Sequence, residues 1–254
     1  MTSLTLAFDD NLGYPDGLVG HLEQTVAGAT GRPTSCDTLS FHDLGAMIDA
    51  FTRDDAQLMF LPCGCLPSVG VPLKVVAQAT TGDDRSTSLT SVLVAGAATT
   101  ADSVASAAGL RFGCINRYCT TSYWAPQFLA REHGTTVGSL TDPVWVGGFD
   151  DLVASLTDGR ADAAMVWRPY LERHPDVAGH LRELGREADL PAPMLVARPT
   201  LDAAVLEALD AVAPFAASGG SLFNGLAAPD LVAIGAFIEQ MEAVQPDIAV
   251  ATVT

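Results

Sequence analysis

Stretches of alternating or β-branched apolar residues take turns with stretches of 3.6-residue apolar period, and midway along the chain the alternation starts afresh. In "LTLAF", Leu4, Leu6 and Phe8 read as a strand; after the turn "NLGYPDG", Leu18, Leu22 and Val26 line one face of a helix. "TSCDTLS" follows as a strand, and "FHDLGAMIDAFTRD" as a helix with Leu44, Ile48 and Phe51 aligned. "AQLMFLP" is a buried strand that ends in the tight loop "PCGCLPSVG", and "LKVVAQAT" and "TSLTSVLVAG" are long strands. This order predicts a mostly parallel sheet with helices on both faces.

The second half repeats the logic. "DSVASAAG" reads as a short helix, "LRFGCIN" as a strand, and "TSYWAPQFLAREHG" as a helix closed by Gly134. Then come strand, helix and strand in "PVWVG", "FDDLVASLTDG" and "ADAAMVW". "RPYLERHPDVAGHLRELG" reads as helix broken at Pro175, "APMLVAR" as a strand, and two helices are expected near 200–213 and 228–243. Two lobes result: residues 1–90 with 196–254, and residues 91–195. Crossings near 87–96 and 193–198 predict a hinged cleft, with ligand at the carboxyl ends of strands.

The 254 residues can bury a substantial core, and the net charge of −17 lacks the basic footprint of a nucleic-acid binder. No apolar run approaches the roughly 20 residues that span a bilayer, so membrane insertion is not expected. The start "MTSLTLAFDD" has no basic n-region or small-residue cleavage site. As it stands that reads as cytoplasmic; an export signal removed beforehand would make it periplasmic. Five cysteines, an odd count, suit reduced thiols better than a disulfide framework. "CGC" with "CINRYC" has no standard zinc spacing, so neither metal nor other cofactor is expected.

The densest polar stretch is "NRYCTTSYWAP". Lying between a buried strand and a helix, its backbone N–H groups and the positive end of the helix dipole face a ligand. Cys119, Thr120, Thr121 and Ser122 add short-reach donors there, and Arg117 adds a charge. A helix cap needs one hydroxyl, which leaves the others for an anion or a polar ligand. Thiols at helix N-termini favour the thiolate, so Cys119 is the nucleophile if the protein is an enzyme. His133, about three turns along the same helix, is too far away to act as its base. Further candidates lie at strand ends. These are Asp9, Asn11 and Tyr14 after the first strand, Cys63 in "PCGC", Ser91 in the crossover strand, and Trp167.

"GLRFGCINRYCTTSYWAPQFL" resembles the phosphate/phosphonate-type, PhnD-like substrate-binding proteins of ABC transporters. Their segment runs G-K-x-F-A-x-x-D-P-x-S-T-S-G-Y-x-x-P. Without a gap, Cys119, Thr120 and Thr121 fall on Ser-Thr-Ser, Ser122 on Gly and Tyr123 on Tyr. "TSLTSVLVA" is similar to the family's crossover strand, and "GGFDDLVASLTDGRADAAMVW" to a later block in which Phe149 stands in place of a His. The resemblance implies an α/β type 2 periplasmic-binding-protein fold, a two-lobed Venus flytrap with mostly parallel sheets. It implies a solute-binding protein that closes over a small anionic or polar ligand, phosphonate- or phosphate-like, with an ABC permease as partner if exported. The same fold also carries cytoplasmic enzymes of the futalosine and thiamin-precursor kind, and ligand sensors, which remain alternatives.

Overall fold

The computed structural model describes residues 1–82, 84–135, 143–218 and 222–254. In chain order the strands are β1 (Thr2–Asp9), β2 (Thr34–Phe41), β3 (Leu58–Leu61), β4 (Lys74–Thr80), β5 (Ser88–Ala95) and β6 (Phe112–Cys114). They continue with β7 (Val144–Trp145), β8 (Ala163–Trp167), β9 (Arg182–Pro191), β10 (Met194–Ala197), β11 (Phe215–Ala216) and β12 (Gly225–Ala227). The helices are α1 (Leu18–Thr30), α2 (Leu44–Thr52), α3 (Ala125–Glu132) and α4 (Phe149–Thr157), then α5 (Arg168–Arg173), α6 (Pro175–Ala178), α7 (Ala203–Leu209) and α8 (Leu231–Val244). Two compact units form: unit 1 holds Met1–Thr87, Pro191–Val232 and Ala249–Thr254, and unit 2 holds Ser88–Leu190 and Ala233–Ile248.

Unit 1 is built on a sheet of order β11-β12-β4-β10-β3-β1-β2. β1 pairs in parallel with β2 without interruption from Thr2↔Thr34 to Asp9↔Phe41. The run "LMFL" of β3 is buried throughout, as a central strand covered on both faces requires. Leu18, Leu22 and Val26 of α1 and Met47, Ile48 and Phe51 of α2 are buried on their inner stripes. β10 runs antiparallel to both β3 and β4, and β12 antiparallel to β4. The sheet is therefore mixed, and not mostly parallel as the alternation of elements predicts: β10 is the strand on which the chain re-enters unit 1, and no crossover helix turns it parallel.

Unit 2 is built on a sheet of order β7-β6-β8-β5-β9. β6 is parallel to β7 and β8, whereas β5 is antiparallel to β8. Val92, Val94 and Val166 of the strands pack with Leu152, Val153 and Leu156 of α4. The fit is close at Gly113, where an added Cβ would lie 2.8 Å from Leu152 Cδ1.

Two segments depart from the sequence reading. The helix expected through residue 185 stops at Ala178, and "RELGREADLP" forms β9, the edge strand beside β5. Its Glu, Arg and Leu favour a helix, but pairing with an open strand edge overrides propensity. Residues 233–248, expected in the first lobe, belong to unit 2. Phe237 of α8 packs edge-on against Phe128 of α3 with centroids 5.3 Å apart, contacts that sequence periodicity cannot assign to a partner.

Candidate ligand-binding site

β6, β7 and β8 run in the same direction, so their carboxyl ends deliver three segments to one edge of the unit 2 sheet. After β6 comes the polar stretch, after β7 the pair Gly147-Gly148 that leads into α4, and at the end of β8 sits Trp167.

The polar stretch begins with one wide turn of π-helix, Thr120–Trp124, before α3 continues it. Cys119 is its N-cap: Sγ accepts the Ser122 N–H at 3.3 Å, and the Trp124 N–H reaches back to the Cys119 carbonyl at 3.2 Å. Such turns recur at functional sites because the extra residue opens the ladder and redirects backbone groups. Among the described residues, the Thr121 N–H meets no protein acceptor. Thr120 and Thr121 are buried, with 4% and 5% exposure. The Thr121 hydroxyl lies 3.4 Å from Cys119 Sγ. Hydroxyls and an N–H thus gather at the positive end of a helix, where an anion is stabilised without a lysine.

The other polar groups of the stretch hold it in place. Ser122 is fully buried; its Oγ accepts the Ile115 N–H at 3.1 Å, and its carbonyl accepts the Cys114 thiol at 3.2 Å. Ser91, also fully buried, donates from Oγ to the Thr121 carbonyl at 3.1 Å. Both serines clamp the backbone of the turn to β6 and β5. Tyr123 stacks on Trp145 at 6.2 Å, and its phenol oxygen accepts from Gln245 Nε2 at 3.4 Å. Gln245 also donates to Gln127 Oε1, which ties the end of α8 to this wall. No local sequence signal marks Trp145, Gln127 or Gln245, since each acts through a partner distant in sequence or across a helix turn.

Arg117 is exposed, and among the described residues its side chain forms no hydrogen bond or ion pair. Trp167 is buried opposite Ser91 in the β5–β8 register, with the Arg173 guanidinium 5.7 Å from its ring centroid. The start of α4 is already served by its own acids. Asp151 Oδ2 accepts the Gly147 N–H at 3.1 Å, and Asp150 accepts the Tyr170 phenol. Phe149 stacks on Tyr170 at 5.4 Å. Carboxylates in this first turn oppose a second anion site there.

The remaining candidates lie in unit 1. Asp9 is buried, and its Oδ1 accepts the Asn11 and Leu12 N–H groups at 2.7 and 3.1 Å. Its burial raises the carboxyl above its ordinary range despite these bonds. Asp9 thereby shapes the turn, Asn11 is exposed, and the Tyr14 ring meets Phe8 edge-on at 4.7 Å. Cys63 is a core residue, fully buried, whose thiol donates to the Ala192 carbonyl at 3.6 Å and is pushed far up by desolvation. Cys65 is equally buried. Among the described residues, no group of three or more His, Cys, Asp or Glu is placed to hold a metal ion.

The fold is the two-lobed α/β architecture of periplasmic binding proteins. XAC2383 from Xanthomonas citri, solved bound to chloride ion, matches 97% of this chain and 98% of its own at 16% identity and TM-score 0.76. PhnD1 from Prochlorococcus marinus, in complex with methylphosphonate, matches over 96% and 98% at 14% identity and TM-score 0.69. A binding protein component of an ABC phosphonate transporter from Pseudomonas aeruginosa gives 14% identity over 96% and 87%, with TM-score 0.69. Among curated proteins no sequence matches significantly. The profile of the family described as ABC transporter, phosphonate, periplasmic substrate-binding protein matches residues 18–213. The chain belongs to that family: it is a substrate-binding component of ABC transport, whose partners are a small-molecule ligand and a permease. No helix among the described residues is long and apolar enough to cross a membrane.

Proposed function

We propose that the protein closes over a small oxyanion, phosphonate or phosphate in class, and holds its oxygens at Cys119–Tyr123. The observation that carries this reading is the Thr121 N–H without a protein acceptor, beside the buried Thr120 and Thr121 at the start of the π turn. Ser91, Ser122 and Tyr123 keep that turn in shape, and Arg117, exposed two residues before Cys119, adds a positive charge. The ligands of two similar structures, chloride and methylphosphonate, are both compatible with such a site. Binding is favoured over catalysis by Cys119 because, among the described residues, no histidine or carboxylate is hydrogen-bonded to its thiol. The family supports the periplasm, the second of the two settings expected from the sequence, as the place where the protein delivers its ligand to a permease. Isothermal titration with methylphosphonate, inorganic phosphate and sulfate tests the reading; absence of heat with all of them at millimolar concentration would refute it.

A further inference from the structure

The chain passes between the units at Thr87/Ser88, Leu190/Pro191, Val232/Ala233 and Ile248/Ala249. One side chain reaches three of these crossings. Gln78 of β4 is fully buried, although a buried amide with unmet donors is costly. Its Nε2 donates to the Thr87 carbonyl at 3.2 Å and to the Ala192 carbonyl at 3.4 Å. Its Oε1 accepts the Asp230 N–H at 3.0 Å. Thr87 is the last residue before the first crossing, Ala192 lies just after the second, and Asp230 lies just before the third. The first two are also joined directly, the Ala192 N–H donating to the Thr87 carbonyl at 2.8 Å, and the Cys63 thiol adds its bond to the Ala192 carbonyl. All these groups belong to unit 1, and they flank β5, β9 and α8, the elements at which the chain changes unit.

We infer that Gln78 is a positioning residue for ligand binding: its carboxamide fastens three crossings to the unit 1 sheet and fixes the pivot for closure. Two donors and one acceptor in one plane are needed, which no apolar side chain of similar length provides and an ionised carboxylate reverses. Without the pin the first two crossings keep only their own Ala192–Thr87 bond and the third loses its tie to them, so closing over a ligand must order them, at a cost to affinity. The anion contacts lie in unit 2 and do not change. The affinity consequence rests on the oxyanion-binding reading; the pin itself does not.

Hydrogen exchange of the full-length, ligand-free protein and its Gln78→Met variant tests the pin. The amides of Ala192 and Asp230 should exchange at least about tenfold faster, with β1 and β3 unchanged. Gln78→Glu, which keeps one donor and the acceptor only when its carboxyl is protonated, should recover part of the protection as the pH is lowered and also serves if the Met variant does not fold. Titration with methylphosphonate and with phosphate should show both affinities falling by the same factor, about fivefold, with their ratio preserved. Unchanged exchange at the crossings, or a uniform rise across unit 1, overturns the pin. A changed ratio would make Gln78 a determinant of site chemistry and overturn it equally. If the wild-type protein binds neither anion, the oxyanion reading fails, and the exchange data alone decide the pin.

Discussion

Cys119 Sγ accepts the backbone N–H of Ser122 at 3.3 Å, so the thiol is the N-cap of the turn that begins the site. Sulfur accepts weakly, and oxygen caps better. Cys119→Ser should therefore keep or raise the melting temperature and keep or improve affinity for an oxyanion. Cys119→Ala removes the cap and should cost about 1 kcal/mol of stability. Denaturant unfolding of the two variants checks this order. A covalent adduct trapped at Cys119 by mass spectrometry would instead make it a nucleophile.

Cys119 is partly exposed, whereas Cys36, Cys63, Cys65 and Cys114 are buried. Desolvation holds the Cys36 thiol up at about 11 and pushes Cys63 and Cys114 higher still. Iodoacetamide should modify Cys119 first in the native protein, and saturating oxyanion should slow the reaction. Peptide mapping of a time course measures both; early labelling of Cys36 would contradict the burial pattern.

Glu187 on β9 lines a cleft of about 440 Å³ with Phe128, Arg131, Glu132 and Gln240. Desolvation, then the neighbouring charges of Glu132 and Asp189, push its carboxyl up to about 7. The folded protein keeps this proton up to about pH 7, whereas the unfolded chain releases it in the ordinary carboxylate range. Stability from this group is thus present at low pH and lost as pH rises through that window. Glu187→Gln should raise the melting temperature at pH 8 and not at pH 5. Glu187 is only partly buried, so after allowing for solvent screening the gain is about 1 kcal/mol or less. A gain of equal size at both pH values would exclude Glu187 as its source.

Much of this architecture is legible along the chain where each element answers to its own pattern. Leu18, Leu22 and Val26 form a helical stripe in sequence and a buried stripe in the structure. The β9 strand was hidden because its residues favour a helix locally, and only the free edge of β5 pairs it. The placing of residues 233–248 was hidden because an amphipathic helix does not name the surface it covers. Within the candidate site, Thr120 and Thr121 stand out as a hydroxyl run. The structural work of Ser91, Gln127, Gln245 and Gln78 depends on distant partners and carries no local mark.

In the proposed function Thr120 and Thr121 hold the oxyanion. Replacing both with Val keeps their shape and removes two hydroxyl donors, each worth about 0.5–1.5 kcal/mol, and more toward a charged ligand. Isothermal titration of the wild-type and double-variant proteins with methylphosphonate tests this most directly, alongside their ligand-free melting temperatures. The expected result is a loss of affinity of at least about tenfold with little change in melting temperature. A large fall in melting temperature with affinity unchanged would contradict the account and leave this stretch as a helix cap alone.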